Sequence, residues 1–158
     1  MSAEPGSATP LHASELEPGA VAFARVLEEP ITVDACADAV ESIHAGAVVT
    51  FAGAVRDHDE GRGVTWLRYS AHPSAEAVIA EVAASVAAAH PGTRIAALHR
   101  VGELGLGDVA LACAVASAHR AEAFAACSAL VDEIKNRVPI WKEQGFTDGT
   151  TEWVAALG

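Results

Sequence analysis

Apolar positions along the chain fall into two rhythms, and the changes between them mark out the elements. Val21–Leu27 opens as a strand that Pro30 ends. Thr32 is placed to cap a helix over Val33–His44, where Cys36, Ala39, Val40 and Ile43 share one face at three- and four-residue spacing. After Gly46 the continuous apolar run Ala47–Val55 reads as a buried strand, and the polar, glycine-punctuated stretch Arg56–Gly63 as a loop. Val64–Ser70 is the return strand. Pro73 and Ser74 open a helix to about His90, with Val78, Val82 and Val86 in helical register, and Pro91-Gly92 stops it. Ile95–Val101 and Val109–Ala116 are two more strands, joined through Gly102–Asp108 by a hairpin or short excursion. His119–Arg137 is a helix with Phe124, Cys127, Val131 and Ile134 turned to the core, terminated by Pro139. Ile140–Gln144 and Thr151–Ala155 complete the list as short strands.

The order β-α-β-β-α-β-β-α-β-β mixes hairpins with helices. It predicts an α+β fold with a mixed, largely antiparallel sheet and helices packed on one face, not a doubly wound parallel sheet. Residues 1–19, rich in Pro, Gly, Ser, Ala and Glu, read as a disordered tail before a single domain over 20–158.

Composition narrows the function classes. Hydrophobic residues make up 51% of the 158 positions and charged residues 20%, ample for a real core. The formal net charge of -11, with no basic stripe, argues against a nucleic-acid binder and against attachment to an anionic membrane surface. No apolar run approaches the roughly 20 residues of a membrane span, and the opening segment lacks the charged and apolar regions of a secretory signal. A soluble, cytoplasmic protein is expected. Cys36, Cys113 and Cys127 are odd in number and widely spaced, so they read as buried reduced thiols and not as zinc ligands.

Any anionic ligand must therefore meet a few cations gathered in one place. Of the ten basic residues only two are lysine, Lys135 and Lys142, and both fall in one eight-residue segment. Lysine, unlike arginine, can give up its proton and act as nucleophile or base. The competing reading is a helix-end cation facing the macrodipole, a role Lys135 also fits. Ser117–Arg120 lies at a strand-to-helix junction, where backbone N–H groups bind anions and the Arg120 cation opposes the helix dipole. Arg56 ends an apolar strand and suits bidentate phosphate binding. The acidic residues after it, with His58, match no metal-ligand spacing, and no metal or other cofactor is assigned. His44, His72, His90 and His99 read as structural or solvated.

Five stretches, Gly46–His58, His99–Leu104, Gly107–Ala110, Ser117–Phe124 and Lys135–Glu143, resemble the large, catalytic subunit of molybdopterin synthase, in that family's order and across residues 20–155. The Lys-x-x-x-Pro-x-Trp-Lys segment is the most specific. The resemblance implies an α/β hammerhead-type fold and a homodimer carrying a small β-grasp partner on each subunit, a heterotetramer. It implies a sulfur transferase of molybdenum cofactor biosynthesis. The partner's C-terminal Gly-Gly thiocarboxylate would supply sulfur to cyclic pyranopterin monophosphate. By the same resemblance Lys135 and Lys142 are catalytic. Ala54, Val55, Arg56, His119, Arg120, Glu143 and Gln144 bind substrate, with one pair reaching across the dimer. Ala54 stands where many members carry lysine, which leaves only backbone contact there. The alternative class is a non-catalytic dimeric module that holds an anionic metabolite through Arg56 and Arg120.

Overall fold

The computed structural model describes residues 19–155, and most of the expected tail lies outside them. The first sheet has the order β1 (Ala20–Leu27), β5 (Arg94–Arg100), β7 (Val109–Ser117), β2 (Ala47–Ala54). Only the β1–β5 pair is parallel; β5–β7 and β7–β2 are antiparallel. A second sheet runs β3 (His58–Asp59), β4 (Arg62–Ala71), β8 (Ile140–Phe146), β9 (Thr151–Ala155), with β6 (Gly102–Leu104) also paired to β4. The connection after β5 is thus an excursion into the second sheet rather than a plain hairpin. The expected α+β class holds, divided between two sheets.

Strict alternation along β5 and β7 splits the core in two. Ile95, Ala97, Leu111, Cys113 and Val115 face α2 (Ala75–Ala89) and α3 (Arg120–Arg137), whose Ile79, Val82, Leu130 and Ile134 are buried against them. Ala96, Leu98, Ala112, Ala114 and Ala116 face Cys36 and Val40 of α1 (Val33–Val40). Two helices therefore share one face, as expected, while α1 covers the other; the small alanines there let it approach closely. No described helix is long and apolar enough to cross a membrane.

Three local expectations change. Thr32 caps α1, its hydroxyl accepting the Ala35 N–H at 3.1 Å, but the helix stops at Val40 and Ile43 is 97% exposed. The Ser42 hydroxyl accepts the His44 N–H and the Ser42 carbonyl that of Ala45, a local turn that replaces the last helical turn. Gly46 then passes so near the Ala118 carbonyl that a Cβ would lie 2.9 Å from its oxygen. Second, β2 is an edge strand with alternate residues exposed, Val48 among them, and not a buried one. Third, Phe124 is 62% exposed, because Ala123, Cys127, Leu130 and Ile134 make the buried stripe of α3 and Phe124 sits one residue round from it.

The polar segment after β2 is a tight hairpin. Glu60 and Gly61, with φ of 49° and 79°, join β3 to β4 in a two-residue turn that needs left-handed backbone at both positions. That turn folds Asp59 back over the space between the sheets.

Candidate active site

A cavity of about 440 Å³ opens where the end of β2, the last turn of α3 and the inner face of the second sheet meet. Ala54, Val55 and Arg56 form one wall, Ile134, Lys135 and Val138 a second, and Lys142 and Gln144 a third. The convergence follows from local structure. Lys135 sits in the last turn of α3; Val138 takes extended backbone and Pro139 prevents the helix from continuing. The chain then enters β8, where residues alternate across the sheet. Lys142 and Gln144 lie opposite Tyr69 and Leu67 of β4 and share the cavity side with them, while Trp141 and Glu143 belong to the other face. The spacing Lys-x-x-x-Pro-x-Trp-Lys thus brings two amines from helix and strand onto one hollow.

The cations are not alone. Gln144, 1% exposed, donates from Nε2 to Asp59 Oδ2 at 2.6 Å and more weakly to Glu152 at 3.4 Å. Arg56 lies 3.5 Å from Asp59, with its own side chain 67% exposed. The Gln144 hydrogen bond, against the effect of burial and aided by the charges of Lys142 and Arg56, holds the Asp59 carboxyl below its ordinary range. Asp59 is therefore an anion that orients Gln144 and engages Arg56.

His99 lines the inner wall, 7% exposed, its ring edge-on to Tyr69 with centroids 5.3 Å apart. Burial first, with the Lys135 charge adding to it and the Arg100 carbonyl opposing, pushes this imidazole down to about 4. Burial raises the Tyr69 phenol. An unfolded histidine takes its proton near 6.5, so His99's contribution to stability is full above that pH and is lost progressively as the pH falls from 6.5 to about 4. The loss amounts to about 3 kcal/mol. Urea unfolding at pH 7 and pH 4.5 should show it, with a smaller pH dependence in His99→Gln. Equal slopes for both proteins would refute the assignment.

The expected site residues do not all meet. Ala54, Val55, Arg56, Lys135, Lys142 and Gln144 do. Glu143 pairs in register with Arg68 and Trp153 on the face turned away from the cavity. His119 and Arg120 are exposed at the start of α3; from residue 120 to 135, at 1.5 Å per residue, the helix separates them from Lys135 by about 22 Å. The sequence reading missed His99, Tyr69 and Asp59. For His99 a signal existed: it continues the Ile95, Ala97 alternation onto the helix-covered face of β5. Asp59 depends on the hairpin turn and gave no such pattern.

This arrangement, a cationic hollow between two sheets with both lysines of the chain on its rim, can be set beside known proteins. The family described as MoaE protein matches residues 26–137. The molybdopterin synthase catalytic subunit of Halalkalibacterium halodurans is 38% identical over 130 residues, 82% of this chain and 83% of that protein. The X-ray crystal structure of molybdopterin synthase from Staphylococcus aureus superposes with a TM-score of 0.78 at 33% identity, covering 84% of this chain and 96% of that one. The protein–protein complex of subunits 1 and 2 of molybdopterin-converting factor from Helicobacter pylori shares the fold, with a TM-score of 0.61 at 17% identity over 84% of this chain and 88% of the other. The fold and the comparisons define an α+β transferase. The chain belongs to the MoaE family of molybdopterin synthase catalytic subunits and is an enzyme of molybdenum cofactor biosynthesis.

Proposed function

We propose that the cavity transfers sulfur from the C-terminal thiocarboxylate of a small β-grasp carrier to cyclic pyranopterin monophosphate, in the cytoplasm. The observation that carries this reading is the convergence of Lys135, Lys142 and Arg56 on one hollow of an otherwise acidic protein. Thiocarboxylate, cyclic phosphate and the oxyanion of acyl transfer are all negative, and donors fixed in advance stabilise charge as it develops. Arg56, exposed and held among the described residues only by Asp59, clamps the phosphate. Lys135 supplies the amine that acts at the carrier's acyl carbon, and Lys142 stabilises the charge that builds there. A Gly-Gly tail threads the entrance because it carries no side chains. Backbone groups of Ala54 and Val55 line its path.

His119 and Arg120 act in the cavity of a second copy. The length of α3 keeps them from their own Lys135, and both are exposed with no role in the protomer's core. Two copies, each with a carrier, make a heterotetramer. Glu143 acts indirectly, through the strand that fixes Lys142 and Gln144.

Incubation with a thiocarboxylated carrier and cyclic pyranopterin monophosphate should yield the dithiolene product. Arg56→Ala should need about tenfold or more precursor for the same rate, since a charge-assisted contact contributes roughly 1.5–3 kcal/mol. Absence of product from the folded parent protein with active carrier would overturn the reading; an unchanged precursor requirement would remove Arg56 from it.

A further inference from the structure

His99 has a fixed donor and a free acceptor. Its Nδ1 lies 2.9 Å from the Arg100 carbonyl oxygen, and a carbonyl can only accept, so Nδ1 carries the proton. In the neutral ring Nε2 is then bare. Among the described residues Nε2 has no hydrogen-bond partner, yet the one fully buried polar side-chain atom without a partner is Arg100 Nε, so Nε2 keeps some open surface. The ring lines the cavity. The edge-on contact with Tyr69 and the strand pairing of His99 with Leu111 hold the imidazole in place.

The cations around it are of the opposite kind. Arg56, Lys135 and Lys142 only donate, and Gln144 spends its amide N–H groups on Asp59 and Glu152. Such a set suits phosphate and thiocarboxylate, and its acceptors are few: the Asp59 carboxylate, already engaged by Gln144 and Arg56, and the Gln144 carbonyl. A ring donor buried against the cations alone would lose its hydrogen bond to water without replacement, which is costly. One acceptor at the inner wall removes that conflict.

We propose that His99 is a specificity-determining residue whose bare Nε2 accepts a hydrogen bond from a ring N–H or amino group of the pterin held in the cavity. The inference deepens the reading given above and rests on it. The cations engage the anionic end of the substrate and His99 reads the heterocyclic end. Because burial keeps the imidazole neutral, the acceptor is present throughout the physiological pH range.

The test measures binding of cyclic pyranopterin monophosphate to the full chain by calorimetry, with inorganic phosphate as competitor, in the parent, His99→Phe and His99→Gln. Phenylalanine keeps the ring and removes the acceptor; glutamine can present a carbonyl near the former Nε2. His99→Phe should weaken precursor binding about tenfold or more while phosphate competes as in the parent, and His99→Gln should stay within about threefold of the parent. Should His99→Phe fail to fold, His99→Met takes its place with the same expected loss. Precursor affinity within twofold of the parent in a variant without an acceptor overturns the proposal. An equal loss for precursor and phosphate also overturns it, because that marks a structural role. Failure of the parent to bind the precursor at all is a different result, and it removes the cavity assignment itself.

Discussion

Lys135→Arg should fold, assemble and bind carrier, yet transfer sulfur at least about a hundredfold more slowly, as loss of nucleophilic or proton-transfer function usually gives. Arginine keeps the charge and much of the stem, so a site that merely holds anions would survive the change with modest loss. It cannot be deprotonated in a protein and so cannot attack an acyl carbon or accept a proton. Lys135 lies at the end of α3, where either cation also meets the helix dipole favourably, so stability should not change much. Single-turnover rates with pre-formed carrier thiocarboxylate separate the chemical step from binding. Turnover close to that of the parent would leave Lys135 a helix-end cation and favour the binding-module reading. The same change at Lys142 should cost less, because arginine can still stabilise charge from that strand position.

How much of this was legible before the structure depended on whether a feature is local. Thr32 capping α1, Pro139 ending α3 and the Pro-spaced pair Lys135 and Lys142 are matters of neighbouring residues, and they appear as the sequence implies. The end of α1 was misplaced because Ile43 continues the apolar spacing, while the decision fell to a hydroxyl one residue away, Ser42, turning the backbone. The burial of β2 was overestimated because an apolar run does not say whether a strand has one neighbour or two; that is set by the crossover order β1-β5-β7-β2. Glu143 was grouped with Gln144 by adjacency, although adjacent strand residues face opposite ways. His99 and Asp59 became part of the site only when a second sheet folded across the first. The excursion of β6 and the hairpin of β3 make that closure, and neither carries a strong apolar period.

The separation of His119 and Arg120 from Lys135 leads to the second large expected effect. Lys135→Ala and the double variant His119→Ala/Arg120→Ala should each be nearly inactive alone at low precursor concentration. Produced together in equal amounts, they should recover about a quarter of the parental rate, because half the dimers are mixed and each mixed dimer regains one intact cavity. In that dimer the copy with normal Lys135 receives His119 and Arg120 from the copy that lacks the lysine. The other cavity collects both defects. A contribution within one chain gives no such recovery, since every cavity then keeps one defect. The helix geometry argues against that route: the span of about 22 Å along α3 exceeds the reach of an arginine side chain. The rate of the mixture, measured after confirming mixed dimers by differential tagging, decides the matter. No recovery, with mixed dimers present, would mean that His119 and Arg120 do not complete a partner's cavity, and full activity of the double variant alone would remove them from the site.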